Sequence, residues 1–311
     1  MELPILTALL LGASLVAAGP LAGQNPAGRW DLTAREGRET YPMWLELQSG
    51  PPAAGRLQNR TGHALPLTGI SLAGGRVSFP LPTESSESDT GRFTATVQGD
   101  SLTGEIQLPN GNRISLTGRR APALMRSGAP GWGRPIDLLA EGMAGWRLRI
   151  PGGKNGWTLA DGVLLNTPPS NDLITNRTFD DFQLHVEVQV PPAGNSGIYL
   201  RGRHEVQVAD NYGEAPHSRR MGGIYGQVTP LSLPARPAGE WQTFDITLIG
   251  RRVTVVLNGV TILDNAEIPG ITGGALDSDE GAPGPIMLQG DHSGVRYRNL
   301  RIVPARATGK D

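Results

Sequence analysis

The chain has 311 residues, a formal net charge of -1, 43 Gly, 26 Pro and no Cys. The near-zero charge gives no general attraction to nucleic acid or anionic membranes, and the lack of Cys excludes disulfides and thiolate metal sites. Abundant Gly and Pro without a long helical periodicity predict an all-β protein of short strands and loops. We expect no nucleotide cofactor.

The first residues are an apolar run that ends in small side chains, LPILTALLLGASLVAAGPLAG, followed by the polar QNPAG. This pattern is typical of a secretory signal peptide over residues 1–23, cleaved near Ala22 or Gly23. Only the amino terminus supplies a positive charge before the run, so an uncleaved anchor is the alternative, which the Gly and Pro inside the run weaken. We therefore expect a secreted or periplasmic protein with no stable membrane span after cleavage.

Residues 25–120 contain short alternating strand patterns such as GRWDLTA, MWLELQ and GRFTATVQGDSLTGEIQL. Gly74-Gly75 and Asn110-Gly111 stand where tight hairpin turns belong. We predict a small antiparallel β barrel or sandwich, whose role the pattern does not indicate. The Pro/Gly-rich segment 121–135, APALMRSGAPGWGRP, is predicted to be a linker. We therefore expect the second unit to fold and act without the first.

Residues 136–305 contain a second series of strand patterns. DFQLHVEVQV alternates apolar and polar residues from Phe182 onward, which predicts a strand with one buried and one solvated face. RVTVVLNGVTIL is typical of a hairpin that turns at Asn258-Gly259. Many such strands at short spacing favour a two-sheet sandwich.

The segment GNSGIYLRGRHEVQVADNYG, residues 194–213, places chemically diverse side chains at alternate positions. A three-residue loop at 202–204 keeps the apolar side chains on one face, whereas a two-residue turn would mix apolar and charged groups on both. This register predicts Arg201 opposite Glu205 and Tyr199 opposite Gln207 on the polar face. The alternative is an exposed ion pair with no function. The hydrogen-bonding groups on this face are suited to sugar hydroxyls.

Five segments of the second unit, in order, resemble the 3-keto-disaccharide hydrolase family, long known as domain of unknown function 1080: GNSGIYLRG, HEVQVADNYG, GGIYGQVTP, GEWQTFDITLIGRRVTVVLNGV and GPIMLQGDHSGVRYRNLRI. The resemblance covers roughly residues 136–304. LLAEGMAGW stands where the family often has a Phe-Asn-Gly-Lys-type turn. The resemblance implies a concanavalin-like jelly-roll sandwich. It also implies a secreted or periplasmic enzyme that cleaves 3-keto-glycosides by proton abstraction at C2 and elimination, with or without rehydration.

That chemistry needs a base, a stabiliser for the enolate and a proton source for the leaving group. We expect Glu205 and His292 to act as the base or as metal ligands, and Arg201 to stabilise the enolate or to keep Glu205 ionised. A divalent metal ion such as calcium or manganese is an expected cofactor, with Glu205, Asp210 and His292 as ligands. The expected substrate-binding residues are Asn195, Ser196, Tyr199, Gln207, Asp210 and Tyr225.

Two other functions stay open at this point. The spacing Glu205-x-Gln207-x-x-Asp210 is similar to the Glu-x-Asp-x-x-Glu run of concanavalin-like glucanases, but an amide replaces the middle carboxylate. A conventional glycosidase is therefore a weaker alternative. A non-catalytic, lectin-like carbohydrate-binding module is the other. A carbohydrate partner is expected for each of these functions, whereas a structural β protein without a ligand is the remaining alternative. The sugar, the linkage and the oligomeric state stay open.

Overall fold

The computed structural model describes residues 25–83, 90–126, 128 and 130–306, so the predicted signal segment lies outside the described residues. Across these ranges the chain forms antiparallel β-sheets, with one short 3₁₀ helix at Gly142–Gly145. None of the helical structure in these ranges is long and apolar enough to span a bilayer. The prediction of an all-β protein is confirmed.

The first unit is one antiparallel sheet of nine strands: β1 (Gly28–Glu36), β2 (Glu39–Gln48), β3 (Ala54–Gln58), β4 (Leu65–Pro66), β5 (Ser71–Ala73), β6 (Arg76–Pro80), β7 (Arg92–Gln98), β8 (Ser101–Gln107) and β9 (Arg113–Arg120). Their order in the sheet is β4-β3-β2-β1-β9-β8-β7-β6-β5. Alternate side chains of these strands form one buried cluster, in which the rings of Phe79 and Phe93 stack at 4.5 Å. The predicted turn at Gly74-Gly75 joins β5 to β6, and both glycines have positive φ, which an L side chain would strain.

The second unit is a sandwich of two antiparallel sheets, as expected for a jelly roll. The larger sheet contains β10 (Ile136–Asp137), β12 (Trp157–Ala160), β13 (Val163–Asn166), β15 (Phe182–Gln189), β18 (Trp241–Ile249), β19 (Arg252–Leu257), β20 (Val260–Glu267) and β22 (Arg296–Pro304). Its order is β12-β13-β22-β15-β18-β19-β20, with β10 paired to β22. The smaller sheet contains β11 (Trp146–Leu148), β14 (Leu173–Thr175), β16 (Asn195–Leu200), β17 (His204–Ala209) and β21 (Met287–Leu288). Its order is β11-β14-β21-β16-β17.

The core of the sandwich is a continuous cluster of buried side chains from both sheets. Strand β15 contributes alternate residues from Phe182 to Val188 and exposes or half-exposes those between them, as its sequence pattern predicts. The predicted hairpin is also present, because Leu257 pairs with Val260 across Asn258-Gly259 and both turn residues have positive φ.

The two units are packed against each other. Trp44 of β2 is fully buried in a cluster with Ile271 and Ala275 of the second unit. A Cβ at Gly270 would overlap the indole of Trp44, so only glycine permits this approach. The segment 269–276 is therefore held between the sandwich and the first sheet. The independence of the second unit stays a prediction, and this contact is the feature of the structure that bears on it.

Candidate functional site

The candidate site is a cavity of about 490 Å³ on the outer face of the smaller sheet. Strand alternation turns Ile198 and Val206 into the core and Tyr199 and Glu205 to the opposite side, toward the cavity. The residues that line the cavity come from both units and are, in chain order, Arg60, Thr61, Gly62, Arg149, Ile150, Asn171, Asp172, Asn195, Tyr199, Glu205, Gln207, Tyr225, Gly273, Gly274, Gln289, Asp291 and His292. The volume falls within the range of small-molecule sites in proteins.

The register of β16 and β17 differs from the predicted one. Tyr199 pairs with Glu205, and the turn consists of Arg201, Gly202 and Arg203, one residue earlier than expected. The pairing is shifted by two residues, and such a shift preserves which side chains share a face. Tyr199, Glu205 and Gln207 therefore lie on one face as predicted, although their cross-strand partners differ.

Glu205 is the central ionisable group of the cavity. It is 4 % exposed, and this burial, together with the negative charges of Asp172 and Asp291, raises the pKa of Glu205 from 4.5 to about 8. Its backbone nitrogen donates to Thr272 Oγ1 at 2.9 Å, and its carbonyl oxygen accepts from the backbone nitrogen of Tyr225 at 3.0 Å. The carboxyl is thus held on a fixed backbone in a poorly solvated position.

The hydroxyl of Tyr199 lies between two acceptors beside the buried end of the cavity. It lies 2.9 Å from Glu205 Oε2 and 2.9 Å from the carbonyl oxygen of Gly273. A phenol has one proton to donate, and a carbonyl oxygen only accepts. The hydroxyl therefore shares its proton between the two acceptors, and its hydrogen bond to Glu205 lowers the pKa of that carboxyl. Burial has the larger effect, so the pKa of Glu205 is still about 8 and most of the carboxyl is neutral at pH 7.

The second oxygen of the carboxyl meets an amide. With its nitrogen turned toward Glu205, the side chain of Gln207 donates to Oε1 at 3.1 Å and to the carbonyl oxygen of Ser196 at 3.2 Å. The amides of Gln207 and Asn195 lie 3.0 Å apart. A Cβ at Gly197 would overlap Glu205 Oε1, so the glycine provides the space that the carboxyl occupies. Asn195, Tyr199, Gln207 and Glu205 all line the cavity, as does Tyr225.

Arg149 and Asp172 were not predicted from the sequence, yet both line the cavity. Arg149 Nη1 donates to Asp172 Oδ2 at 3.1 Å and to the carbonyl oxygen of Gly274 at 2.7 Å. Its Nη2 donates to the carbonyl oxygen of Ala275 at 3.0 Å. The guanidinium therefore anchors the segment 273–275 and brings a positive charge to the cavity. Neither residue belongs to a motif or an adjacent strand pattern, so the sequence carries no signal for them.

His292 lies at the exposed rim of the cavity, where it was expected. Its Nδ1 is paired with Oδ1 of Asp291. A carboxylate on Nδ1 orients an imidazole and leaves Nε2 as the nitrogen that can meet a ligand. His292 and Glu205 therefore belong to the same cavity, one at its rim and one at its buried end.

Arg201 was predicted to act in the site, but the structure does not place it in the cavity. It belongs to the turn, with φ of 52°, and its side chain is fully buried away from the cavity lining. Its Nη2 donates to the carbonyl oxygen of Gly250, and its Nη1 lies 3.4 Å from Asp180 Oδ1. Desolvation lowers the pKa of Arg201 to about 10. The early turn removes Arg201 from the strand face that carries Glu205.

Ser196 and Asp210 also lie away from the cavity. Ser196 points into the core, where its hydroxyl lies 2.7 Å from the carbonyl oxygen of Gln289 and 2.8 Å from the hydroxyl of Tyr297. Asp210 follows the end of β17, and its Oδ2 accepts from the backbone nitrogen of Ala193 at 3.0 Å. Strand alternation turns odd-numbered side chains of β16 to the cavity and Ser196 to the core, whereas Asp210 lies beyond the end of β17.

The predicted metal ligands are not brought together. Glu205 and His292 line the cavity, whereas Asp210 is used in the turn at Ala193. Over the described ranges, no group of three or more His, Cys, Asp or Glu side chains is arranged to hold a metal ion. Asp210 is therefore apart from the other two predicted ligands, and the expected divalent cation stays a prediction.

A family model described as a 3-keto-alpha-glucoside-1,2-lyase-like domain matches residues 135–303. A candidate glycosyl hydrolase from Parabacteroides distasonis is 28% identical, with a TM-score of 0.47, and the similarity covers 58% of this chain and 93% of that one. A second one from the same organism is 22% identical, with a TM-score of 0.44 and coverage of 55% and 98%. Domain 4 of an extracellular arabinanase from Geobacillus stearothermophilus, solved with arabinotriose, is 11% identical, with a TM-score of 0.36 and coverage of 57% and 94%. Among curated proteins, none matches the chain.

Proposed function

Because the chain belongs to the 3-keto-alpha-glucoside-1,2-lyase-like domain family, it is a sugar-active protein, and we propose that it cleaves glycosides whose sugar ring carries a ketone at C3. The reacting ring occupies the buried end of the cavity, beside Glu205, Tyr199 and Gln207. The rest of the substrate extends to the exposed rim, near His292 and Ile150.

The reaction is an elimination. A ketone at C3 acidifies the hydrogen on C2, so a base removes that proton and the electrons move to the C3 oxygen as an enolate. The enolate then reforms the ketone, a double bond forms between C1 and C2, and the bond from C1 to the glycosidic oxygen breaks. The leaving oxygen takes up a proton. Addition of water to the unsaturated product would complete a hydrolysis.

Glu205 is the proposed base. Its pKa of about 8 leaves about a tenth of the carboxyl ionised at pH 7, and that ionised form is a much stronger base than an ordinary carboxylate. The Tyr199 hydroxyl and the Gln207 amide are placed to hydrogen-bond the carboxylate while it waits for the C2 proton. These two groups position the base.

His292 is the proposed acid and Arg149 the proposed stabiliser of the enolate. With Nδ1 held by Asp291, a protonated His292 delivers the proton on Nε2 to the leaving oxygen at the rim. Arg149 provides a fixed positive charge beside the buried end of the cavity, where the enolate forms.

One observation carries this proposal: a buried carboxyl with a pKa of about 8 lies in a sugar-sized cavity of a chain from this family. Perturbed carboxyls in clefts are typical of acid–base catalysis. The proposed location is secreted or periplasmic, which rests on the N-terminal pattern of the sequence.

The test is incubation of the purified protein with a 3-keto-glycoside and with its unoxidised parent, each with and without a chelator. Cleavage of the keto form alone, with a primary isotope effect when C2 carries deuterium, supports the elimination. Cleavage of both forms supports a conventional glycosidase, and binding without turnover supports a lectin-like module. Loss of turnover in the presence of chelator would show that the reaction requires a metal ion in addition to Glu205.

A further inference from the structure

A segment of the first unit, Arg60–Gly62, forms part of the cavity wall. The family model begins at residue 135, so this wall lies outside the matched domain. The first unit therefore reaches the site that the second unit carries.

The segment is held in one conformation. Gln58 is fully buried, and its Nε2 donates to the carbonyl oxygens of Asn59 at 2.9 Å and Gly62 at 3.1 Å. Asn59 Oδ1 accepts from the backbone nitrogen of Arg60 at 2.8 Å. A wall fixed in this way needs no ordering when a ligand binds, which favours affinity.

The same segment is docked on the cavity wall of the second unit. The backbone nitrogen of Gly274 donates to the carbonyl oxygen of Arg60 at 3.0 Å. A Cβ at Gly273 would overlap the carbonyl oxygen of Gly62, so the two backbones are in direct contact. Gly273 is also the residue whose carbonyl meets Tyr199 beside Glu205. The rim and the buried end of the cavity thus share one continuous support.

The guanidinium of Arg60 stands at the exposed rim. It lies over the ring of Tyr41, 4.9 Å from its centroid, and its Nη1 donates to Glu39 Oε2. An arginine carries five N–H groups, so donors remain for a ligand after the contact with Glu39. The planar group is oriented by the ring below it and by the carboxylate beside it.

The charges around the cavity are paired locally. Arg60 is paired with Glu39, Arg149 with Asp172, and His292 with Asp291. Among the described residues that line the cavity, no excess positive charge is left to compensate an anionic sugar, while the paired groups still offer hydrogen bonds. Ile150 adds an exposed apolar surface at the same rim. This combination suits a neutral sugar ring, which has both hydroxyls and apolar C–H faces.

We propose that Arg60, Thr61 and Gly62 of the first unit form the subsite for the leaving group, and that the preferred leaving group is a neutral sugar. This inference rests on the proposed function, which places the reacting ring at Glu205 and directs the remainder of the substrate to the rim. In the proposed arrangement the first unit selects substrates by the size and charge of the group that departs from C1.

The experiment compares two substrates with the same oxidised ring, a methyl 3-keto-glucoside and a 3-keto-disaccharide. Two variants change the subsite: Arg60→Ala removes the guanidinium, and Thr61→Trp fills the rim. Arg113→Ala is the matched control, because Arg113 is also an exposed arginine of the first unit, pairs with Glu105 at 3.0 Å and lies outside the cavity lining. We expect Arg60→Ala to raise KM for the disaccharide about tenfold, with kcat and the methyl glycoside little changed.

Each outcome decides between the two proposals. A selective loss on the disaccharide in both subsite variants, absent in Arg113→Ala, supports the subsite. Equal effects on both substrates, or no effect on either, overturn it while leaving the elimination intact. If the wild-type protein cleaves neither substrate, the elimination is refuted. The subsite is then judged by calorimetric binding of the unoxidised disaccharide and of methyl glucoside. Weaker binding of the disaccharide by Arg60→Ala, but not by Arg113→Ala, supports the subsite. Unchanged binding of the disaccharide by Arg60→Ala overturns it.

Discussion

Replacing Glu205 with Gln should make the protein more stable and less active. Gln resembles the protonated carboxyl in shape and hydrogen bonding but cannot ionise. Burial raises the pKa of Glu205 from 4.5 to about 8 in the folded protein. A raised pKa contributes stability that is fully present below pH 4.5 and is lost as the pH rises through about 8. Each pH unit between the unfolded pKa of 4.5 and pH 7 costs about 1.36 kcal/mol, so at pH 7 the wild type has lost about 3 kcal/mol of its free energy of unfolding. The variant should keep this stability.

Urea unfolding followed by tryptophan fluorescence at pH 5, 7 and 9 measures the effect. The stability gap between the variant and the wild type should be less than about 1 kcal/mol at pH 5 and grow to about 3 kcal/mol at pH 7. Turnover of a 3-keto-glycoside should fall by about 10² to 10⁴-fold, the usual contribution of a general base. In the wild type, kcat/KM should rise with pH to a midpoint near 8.

Glu187→Gln is the matched control. Glu187 lies on β15, outside the cavity lining. Partial burial alone would raise the pKa of Glu187, but hydrogen bonds from Asn299 and Arg298 lower that pKa below its ordinary value. The stability that Glu187 contributes is present above its unfolded pKa, so its replacement should cost stability at neutral pH and leave turnover unchanged. Near-normal turnover in Glu205→Gln would remove Glu205 from the mechanism. A stability gap that does not grow with pH would show that water reaches the carboxyl.

Three further predictions concern the support of the site and the contact between the units. Tyr199→Phe removes a hydroxyl that favours the ionised carboxylate of Glu205. The midpoint of the pH–rate profile should therefore lie at a higher pH than in the wild type, and turnover should fall about tenfold. An unchanged midpoint would show that Tyr199 does not hydrogen-bond Glu205. Desolvation, and after it the charge on Glu280, raise the pKa of Asp31 to about 9. The stability of the wild type should therefore fall as the pH rises from about 4 to 9. Asp31→Asn should make this fall smaller, as measured by urea unfolding at several pH values. Deleting residues 25–120 should yield an aggregated or nearly inactive second unit, because the apolar patch at 269–276 is uncovered; a soluble product with normal kcat and KM would show that the units are independent.

Much of the second unit could be predicted because its signals are local. Side chains alternate along a strand with a period of two, so Phe182 to Val190 indicated a buried face and Asn258-Gly259 indicated a tight turn. The same alternation placed Tyr199, Glu205 and Gln207 on one face, even though the pairing register was wrong by two residues. The ordered motifs also identified the family, which the match over residues 135–303 confirms.

The errors arose where a side chain's role depends on where its strand ends. Arg201 was assigned to the polar face, but the turn begins at that residue and directs it to Gly250. Ser196 was expected to bind substrate, although alternation places it in the core. Asp210 lies one residue beyond β17 and holds a neighbouring turn. In each case a difference of one position decides whether the side chain reaches the cavity.

By itself, then, the sequence determined the all-β class, the family and the strand face that carries Glu205, since these follow from short-range periodicity and ordered motifs. Only the tertiary structure decided the walls of the cavity and the state of that carboxyl. Arg149, Gly273 and the segment Arg60–Gly62 are distant from Glu205 along the chain, and folding brings them around it. Their packing removes water from the carboxyl, and removal of water is the main reason that its pKa reaches about 8.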